Sequence, residues 1–329
     1  MTTDLRAITV LVPGKLYEHA VARIDDTFRL VRIERIDPAL VTAELRDTVR
    51  GIAASPAIGG SFVGPDFLRA LPKVEIVANY GVGYDGVDAA YAGAHGIMVT
   101  NTPDVLTEEV ADTTIGLLIS TIREFSGAES WLRAGNWAGR GNYHLSPLTL
   151  RGRAIGIFGL GRIGLAVARR LEAFGLPIAY HNRRPVEGVP YAYHPTLKEL
   201  AGAVDTLICI APGGAATEKA IDAEVLSALG HGGVLVNIGR GSTVDETALA
   251  AALTNGTIAA AGLDVFAHEP NVPQALLDAP NTVLLPHVGS ASIHTRRAMA
   301  DLCVDNLVSW FSERKALTPV PETKHVKAK

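Results

Sequence analysis

Cysteine, net charge and long apolar runs are all scarce in this sequence, and each scarcity removes a class of function. Only Cys209 and Cys303 occur among 329 residues, both in apolar surroundings without C-x-x-C or Cys/His spacing, which argues against a disulfide framework or a zinc site and fits a reducing compartment. Charged residues make up 19% and leave a net charge of −4, so the chain has no bulk attraction for nucleic acid. The longest apolar helix, near Ile115 to Ile122, is too short to cross a bilayer, and Met1-Thr2-Thr3-Asp4-Leu5-Arg6 has no signal-peptide core. The expectation is a cytoplasmic protein with no membrane, metal or nucleic-acid partner, acting on a small molecule. The basic tail Lys324-His325-Val326-Lys327-Ala328-Lys329 is expected to be solvated and disordered.

Apolar residues, by contrast, reach 48%, enough over this length for the cores of two domains. One stretch organises the rest. Ala154-Ile155-Gly156-Ile157-Phe158 is an unbroken apolar run, Gly159-Leu160-Gly161-Arg162-Ile163-Gly164 follows as G-x-G-x-x-G, and Leu165 to Leu171 recurs at helical spacing. A buried strand, a glycine turn and a helix in that order form a dinucleotide cradle. Gly159 makes the tight turn, Gly161 lets backbone approach a pyrophosphate, and Gly164 packs helix against strand.

Before that stretch, Ile8–Val12, Phe28–Ile33 and Val74–Ala78 read as strands of a first α/β domain. It runs out into Asn79-Tyr80-Gly81-Val82-Gly83-Tyr84-Asp85-Gly86-Val87-Asp88, where free N–H groups suit a carboxylate, or where a plain loop ends in Asp88 capping a helix. Met98–Pro103 crosses to the second domain, and a largely buried helix runs from Thr107 to about Gly135. The glycine-rich loop Arg133–His144 carries Trp137, read as a core plug or a contact at another subunit. After the cradle come strands at 206–210, 233–238 and 259–265, helices near Asp222–Leu229 and Asp245–Leu253, and a last helix over about Ser290–Glu313 that returns to the first domain. The fold class is α/β: two Rossmann-like or flavodoxin-like domains with parallel sheets, the first built from both chain ends. Its boundaries are 1–102, 103–287 for the dinucleotide-binding domain, and 288–329 for the return helix and tail.

The exit of the second cofactor strand distinguishes NAD from NADP. NAD sites place an acid about twenty residues after the glycines for the ribose hydroxyls, whereas a 2′-phosphate needs donors. Here His181-Asn182-Arg183-Arg184 contains no acid, and guanidinium groups suit a phosphate, so NADP is expected over NAD. Three further polar residues end apolar runs of this domain: Arg240, Glu269 before Pro270, and His287 after Pro286. Reduction of a 2-oxo acid needs a cation to bind and polarise the substrate, a proton donor for the forming alkoxide, and a carboxylate that keeps the donor protonated. Arg, His and Glu supply those roles.

The chain resembles the D-isomer-specific 2-hydroxyacid dehydrogenases, and among them the NADP-preferring glyoxylate/hydroxypyruvate reductases. The resemblance rests on Tyr80-Gly81-Val82-Gly83-Tyr84-Asp85, the glycine turn, Asn237-Ile238-Gly239-Arg240-Gly241, Val244-Asp245-Glu246, Gly262-Leu263-Asp264-Val265-Phe266, Glu269-Pro270 and Pro286-His287-Val288-Gly289-Ser290, in order along nearly the whole chain. It implies that Arg240 binds substrate, His287 is the acid/base and Glu269 its partner, with Val82, Gly83 and Ser290 also at the substrate. Leu160, Arg162, Ile163, Pro212, Thr217, Ile238, Asp264 and Gly289 would border the cofactor. It also implies a homodimer, with Trp137 reaching toward the neighbouring subunit's site. Formate dehydrogenases resemble this architecture but carry Gln where Glu269 stands. Other 2-hydroxy acid enzymes acting on pyruvate, phenylpyruvate or phosphoglycerate, and dinucleotide-sensing corepressors, are the competing readings. The substrate's side-chain end falls near Ser55, Ile58, Trp137 and Tyr143, where Ser55 and Asn142 would favour a hydroxyl.

Overall fold

The computed structural model describes residues 4–55 and 62–328, so Ile58 lies outside the described residues. The chain divides into two compact units, Met1–Leu106 with Ala291–Lys329, and Thr107–Ser290. The divisions fall a few residues beyond 102 and 287, because the helix that opens the second unit starts at Thr107 and the loop bearing His287 continues through Ser290 in the same unit.

The first unit begins with β1 (Thr9–Pro13), α1 (Glu18–Thr27), β2 (Arg29–Ile33), α2 (Ala43–Thr48), β3 (Val49–Ala54), α3 (Pro65–Ala70), β4 (Ile76–Asn79), α4 (Ala89–Ala94) and β5 (Met98–Thr100). The strands run parallel in the order β2-β1-β3-β4-β5, a flavodoxin-like sheet. β1 and β4 are buried at every position, Thr9 and Asn79 at their ends included. β3 and β5 escape a sequence reading because Arg50 and Gly51 interrupt one and the other has three residues. Asp88 caps α4, its side chain accepting from the Tyr91 N–H at 2.8 Å.

The second unit opens with α5 (Thr107–Arg123), α6 (Phe125–Arg133) and α7 (Asn136–Arg140). The helix expected to reach Gly135 breaks at Glu124, which takes a left-handed φ of 53° while its carboxylate accepts from Tyr143 OH (3.2 Å) and pairs with His144 Nε2 (2.5 Å). Gly127 leaves room for that crossing, since a Cβ there would meet the Tyr143 hydroxyl. The loop around Trp137 is thus partly helical. Trp137 is 61% exposed, which removes the core-plug reading.

Then come β6 (Ile155–Phe158), α8 (Arg162–Glu172), β7 (Ile178–His181), β8 (Ala192–Tyr193), α9 (Leu197–Ala203), β9 (Thr206–Cys209), α10 (Ala223–Leu229), β10 (Val234–Asn237), α11 (Glu246–Thr254), β11 (Ala260–Leu263), α12 (Gln274–Leu277) and β12 (Thr282–Leu284). All seven strands are parallel in the order β12-β11-β10-β9-β6-β7-β8, the doubly wound arrangement whose strand order reverses between β6 and β9. α5 lies against this sheet, and Gly262 on β11 permits it: a Cβ there would sit 2.9 Å from Leu117 Cγ.

α13 (Ile293–Glu313), capped by Ser292, carries the chain back to the first unit and covers its sheet. Leu307 and Phe311 close over Gly51 of β3, and Phe311 meets the Phe28 ring edge-on at 6.0 Å. The tail is not disordered where it is described. Pro321–Thr323 form a 3-10 turn, the Thr323 hydroxyl donates to the Val99 carbonyl (3.1 Å), and Val326 is buried. The apolar residues between the polar ones supply the docking that the basic composition concealed.

Candidate active site

The glycine turn lies where β6 ends, beside β9, at the reversal of strand order. Gly159 has φ 101°, and a Cβ there would stand 2.7 Å from the Ala211 amide nitrogen just past β9, so glycine is needed for both the turn and the close approach. Gly164 lies over Gly159, with a Cβ only 2.5 Å from that carbonyl. Gly161, by contrast, opens onto free space: a Cβ would meet nothing within 4 Å. Immediately after it α8 presents its N-terminus, with Arg162 and Ile163 in the first turn. Two glycines are filled by protein and one faces outward, and that open cradle fits a pyrophosphate.

At the end of β7, His181 Nδ1 donates to the His194 carbonyl (2.9 Å). Asn182 buttresses the glycine turn: its Oδ1 accepts from the Leu160 N–H (2.7 Å) and its Nδ2 donates to the Leu160 carbonyl (3.2 Å). Arg183 and Arg184 are exposed, and no acidic side chain pairs with them among the described residues. Thr217 turns inward to its own loop, its hydroxyl donating to the Pro212 carbonyl at 2.6 Å.

β10 delivers Arg240. Asn237 folds the following turn, accepting from the Gly239 N–H (3.1 Å) and donating to the Arg240 carbonyl (2.9 Å), which also accepts from the Thr243 hydroxyl (2.6 Å). Arg240 Nη1 donates to the Gly239 carbonyl at 2.9 Å. β11 delivers the carboxylates. Asp264 is buried, and its two oxygens accept from the Val288 and Gly289 N–H groups at 2.7 and 2.8 Å, while its carbonyl accepts from the His287 N–H at 2.9 Å. This clamp holds His287 in a left-handed conformation, φ 55°. The family resemblance places Asp264 near the cofactor; its carboxylate also accepts from the turn that carries His287. Ile238 lies against Gly289, and Ser290 is buried beside it.

Glu269 Oε2 stands 2.7 Å from His287 Nδ1, and its Oε1 accepts from the Phe266 N–H at 3.1 Å. Burial opposes ionisation of Glu269, but the His287 bond and charge, the Phe266 N–H and the Arg240 charge together hold its carboxyl below the usual range. Burial pushes Asp264 the other way, up, against the pull of the Val288 and Gly289 amides. Arg240, Glu269 and His287 are therefore one electrostatic group within the second unit. That geometry is the arrangement that acid/base chemistry on a carbonyl requires.

A family model for the D-isomer specific 2-hydroxyacid dehydrogenase NAD binding domain matches residues 115–289. The chain belongs to that family. Among curated relatives, glyoxylate/hydroxypyruvate reductase A of Arabidopsis thaliana is 41% identical, covering 96% of this chain and 100% of the relative. Hydroxyphenylpyruvate reductase of Plectranthus scutellarioides is 42% identical over the same shares. A solved structure of the family, an NADPH-dependent glyoxylate/hydroxypyruvate reductase from Sinorhizobium meliloti in complex with NADP and malonate, superposes with a TM-score of 0.94 at 61% identity, covering 98% of this chain and 99% of that one.

In the first unit, a glycine turn carrying Val82 and Gly83 follows β4. Its Val82 and Gly83 amides have no acceptor among the described residues, while the carbonyls around them are all taken. Ser55 donates to the Tyr80 carbonyl at 3.4 Å, and Asn142, expected with it at the substrate side chain, accepts from Trp137 Nε1 at 3.1 Å. Among the described residues no helix is long and apolar enough to cross a membrane.

Proposed function

We propose that the protein reduces small 2-oxo acids, glyoxylate and hydroxypyruvate foremost, to D-2-hydroxy acids with NADPH. The carrying observation is the Glu269–His287 pair at 2.7 Å in the electrostatic reach of Arg240, in the unit that also holds the open glycine turn. When bound, the nicotinamide supplies the hydride. Gly159 to Gly164 hold the pyrophosphate against the start of α8, and Arg183 and Arg184 hold the 2′-phosphate. The Arg240 guanidinium binds the substrate and polarises its carbonyl. His287, whose Nδ1 is taken by Glu269, gives the proton on Nε2 to the forming alkoxide, and ionised Glu269 balances the imidazolium before that transfer. The Val82 and Gly83 amides hold the substrate carboxylate.

The relatives favour two shapes of substrate, since one is a glyoxylate/hydroxypyruvate reductase and another, equally similar, reduces an aryl 2-oxo acid by name. Steady-state oxidation of NADPH and NADH with glyoxylate, hydroxypyruvate, pyruvate and phenylpyruvate decides. Preference for NADPH with the two small acids supports the proposal; NADH preference or dominance of phenylpyruvate overturns the corresponding part, and tight cofactor binding without turnover overturns the enzyme reading.

The second unit also carries an arm, α6–α7 and the loop that follows, whose Phe125, Leu132, Trp137 and Leu145 are exposed. Trp131, Leu132, Trp137 and Tyr143 line a shallow apolar groove on it. A second copy of this chain is the occupant we assign to that face, giving a homodimer. Two buried free thiols, Cys209 and Cys303, support a cytoplasmic location.

A further inference from the structure

We infer that Asn101, mounted on the C-terminal segment through Thr318, is a positioning residue that aims the Gly83 N–H for the substrate carboxylate. This rests on the reading above that Val82 and Gly83 hold that carboxylate. In a trans peptide the C=O and the following N–H point in opposite directions, so whatever grips one carbonyl sets the direction of the next amide. The Gly81 carbonyl accepts from the Thr102 N–H (2.9 Å) and from Asn79 Nδ2 (3.0 Å), which sets the Val82 N–H. The Val82 carbonyl accepts from Asn101 Nδ2 (2.8 Å), which sets the Gly83 N–H. Asn79 Nδ2 also donates to the Gly83 carbonyl at 3.0 Å, closing the turn beneath.

Both amides draw on the segment after β5, Val82 through the Thr102 N–H and Gly83 through Asn101, but only the Val82 amide is also set by Asn79. Asn79 is buried at the end of β4, within the strand that carries the turn. Asn101 lies outside that strand, and its own carbonyl accepts from the Thr318 hydroxyl at 2.6 Å. Thr318 is in turn fixed by Asn306 of α13, whose Nδ2 donates to the Thr318 hydroxyl (2.8 Å) and whose Oδ1 accepts from the Leu317 and Thr318 N–H groups (3.0 Å each). A continuous relay therefore runs from the buried Asn306 through Thr318 and Asn101 to the peptide that carries the Gly83 N–H. Tyr84, the next residue of the turn, is tied to the same segment, donating to Glu322 at 3.1 Å. The Val82 N–H is set by Asn79 and Thr102, and the Gly83 N–H by Asn101, which Thr318 joins to residues more than two hundred positions later.

The test compares wild type with Asn101→Ala and Thr318→Val, the second removing the hydroxyl bond to the Asn101 carbonyl while the Asn101 N–H keeps its bond to the Thr318 carbonyl (3.3 Å). Asn101→Ala is expected to raise KM for glyoxylate and the dissociation constant of oxamate by the same factor, about tenfold for one charge-assisted bond. KM for NADPH and the pH profile should stay unchanged, and Thr318→Val should give a smaller rise of the same kind. Equal loss for NADPH and glyoxylate, or a fall in Tm with unchanged oxamate binding, would mean that Asn101 only supports the fold. If wild type reduces no 2-oxo acid, the functional reading fails separately, and the oxamate constants of wild type and variant still decide the role of Asn101.

Discussion

His287 Nδ1 and Glu269 Oε2 lie 2.7 Å apart, and the second Glu269 oxygen is occupied by a backbone amide, so the carboxylate is fixed from both ends and the imidazole is fixed by the carboxylate. Such a pair has a single ring nitrogen left for chemistry. Replacing His287 by Gln should lower kcat by about 10²- to 10⁴-fold, the usual contribution of a general acid, with cofactor affinity retained. Glu269→Gln should lower kcat less, because the imidazole keeps a hydrogen-bond partner but loses the carboxylate charge beside it. An unchanged kcat in Glu269→Gln would show that the pair does not set the proton donor.

The same pair affects stability. Glu269 is held below its ordinary value of 4.5, so its ionised form is favoured by folding. The stability it contributes is complete above that ordinary value and is lost as pH falls through the lower folded value. The Tm difference between wild type and Glu269→Gln should therefore shrink steadily on acidification below the ordinary carboxylate range, as differential scanning calorimetry would record.

The proposed preference for NADPH assigns the 2′-phosphate to two exposed guanidinium groups, Arg183 and Arg184. A charge-assisted hydrogen bond is worth about 1.5–3 kcal/mol, so replacing Arg183 and Arg184 together by Ala should raise KM for NADPH by roughly ten- to a hundredfold and leave KM for NADH within about twofold. Parallel changes with both cofactors would disconnect the two arginines from the 2′-phosphate.

The glycines of the turn should separate by assay. Gly159→Ala adds a Cβ 2.7 Å from the Ala211 backbone at a φ of 101°, and should lower Tm. Gly161→Ala meets nothing within 4 Å, so Tm should hold while KM for NADPH rises. Equal Tm losses in both variants would place Gly161 in the fold and not at the ligand.

Leu132 and Trp137 provide the test of the arm. Leu132→Glu with Trp137→Glu puts two charges on an exposed face and should convert a dimer to a monomer by light scattering without lowering Tm of the isolated chain. A monomeric wild type at micromolar concentration would end the homodimer proposal.

The sequence made legible those residues whose identity is set by backbone shape or by chemistry. Gly159 and Gly164 are readable because the turn tolerates no side chain there, and Arg240, Glu269 and His287 because each polar residue interrupts an apolar run. Residues that hold other residues have partners that the sequence did not show. Asn182 and Asp264 are polar groups at the right ends of the right strands, but their partners are the Leu160, Val288 and Gly289 backbones, and polarity does not announce a partner. Asn79 and Asn101 flank the glycines of the carboxylate turn, and an amide side chain beside a glycine run is the signal that marks them. The break at Glu124 had no such signal, since its left-handed turn depends on Tyr143 and His144, which arrive nineteen and twenty residues later.

The return of α13 has a consequence for how the protein is made. On the ribosome, Thr107–Ser290 emerges as one uninterrupted length and can complete its sheet and helices as it appears. The five strands of the other unit are translated first and finished last. The faces of Gly51 and Phe28 that Leu307 and Phe311 will cover stay wet until α13 leaves the exit tunnel. Asn101 is joined to Thr318 and Asn306 only at that moment, so a nascent chain stopped before α13 would hold a finished glycine turn and a turn after β4 that lacks its C-terminal brace.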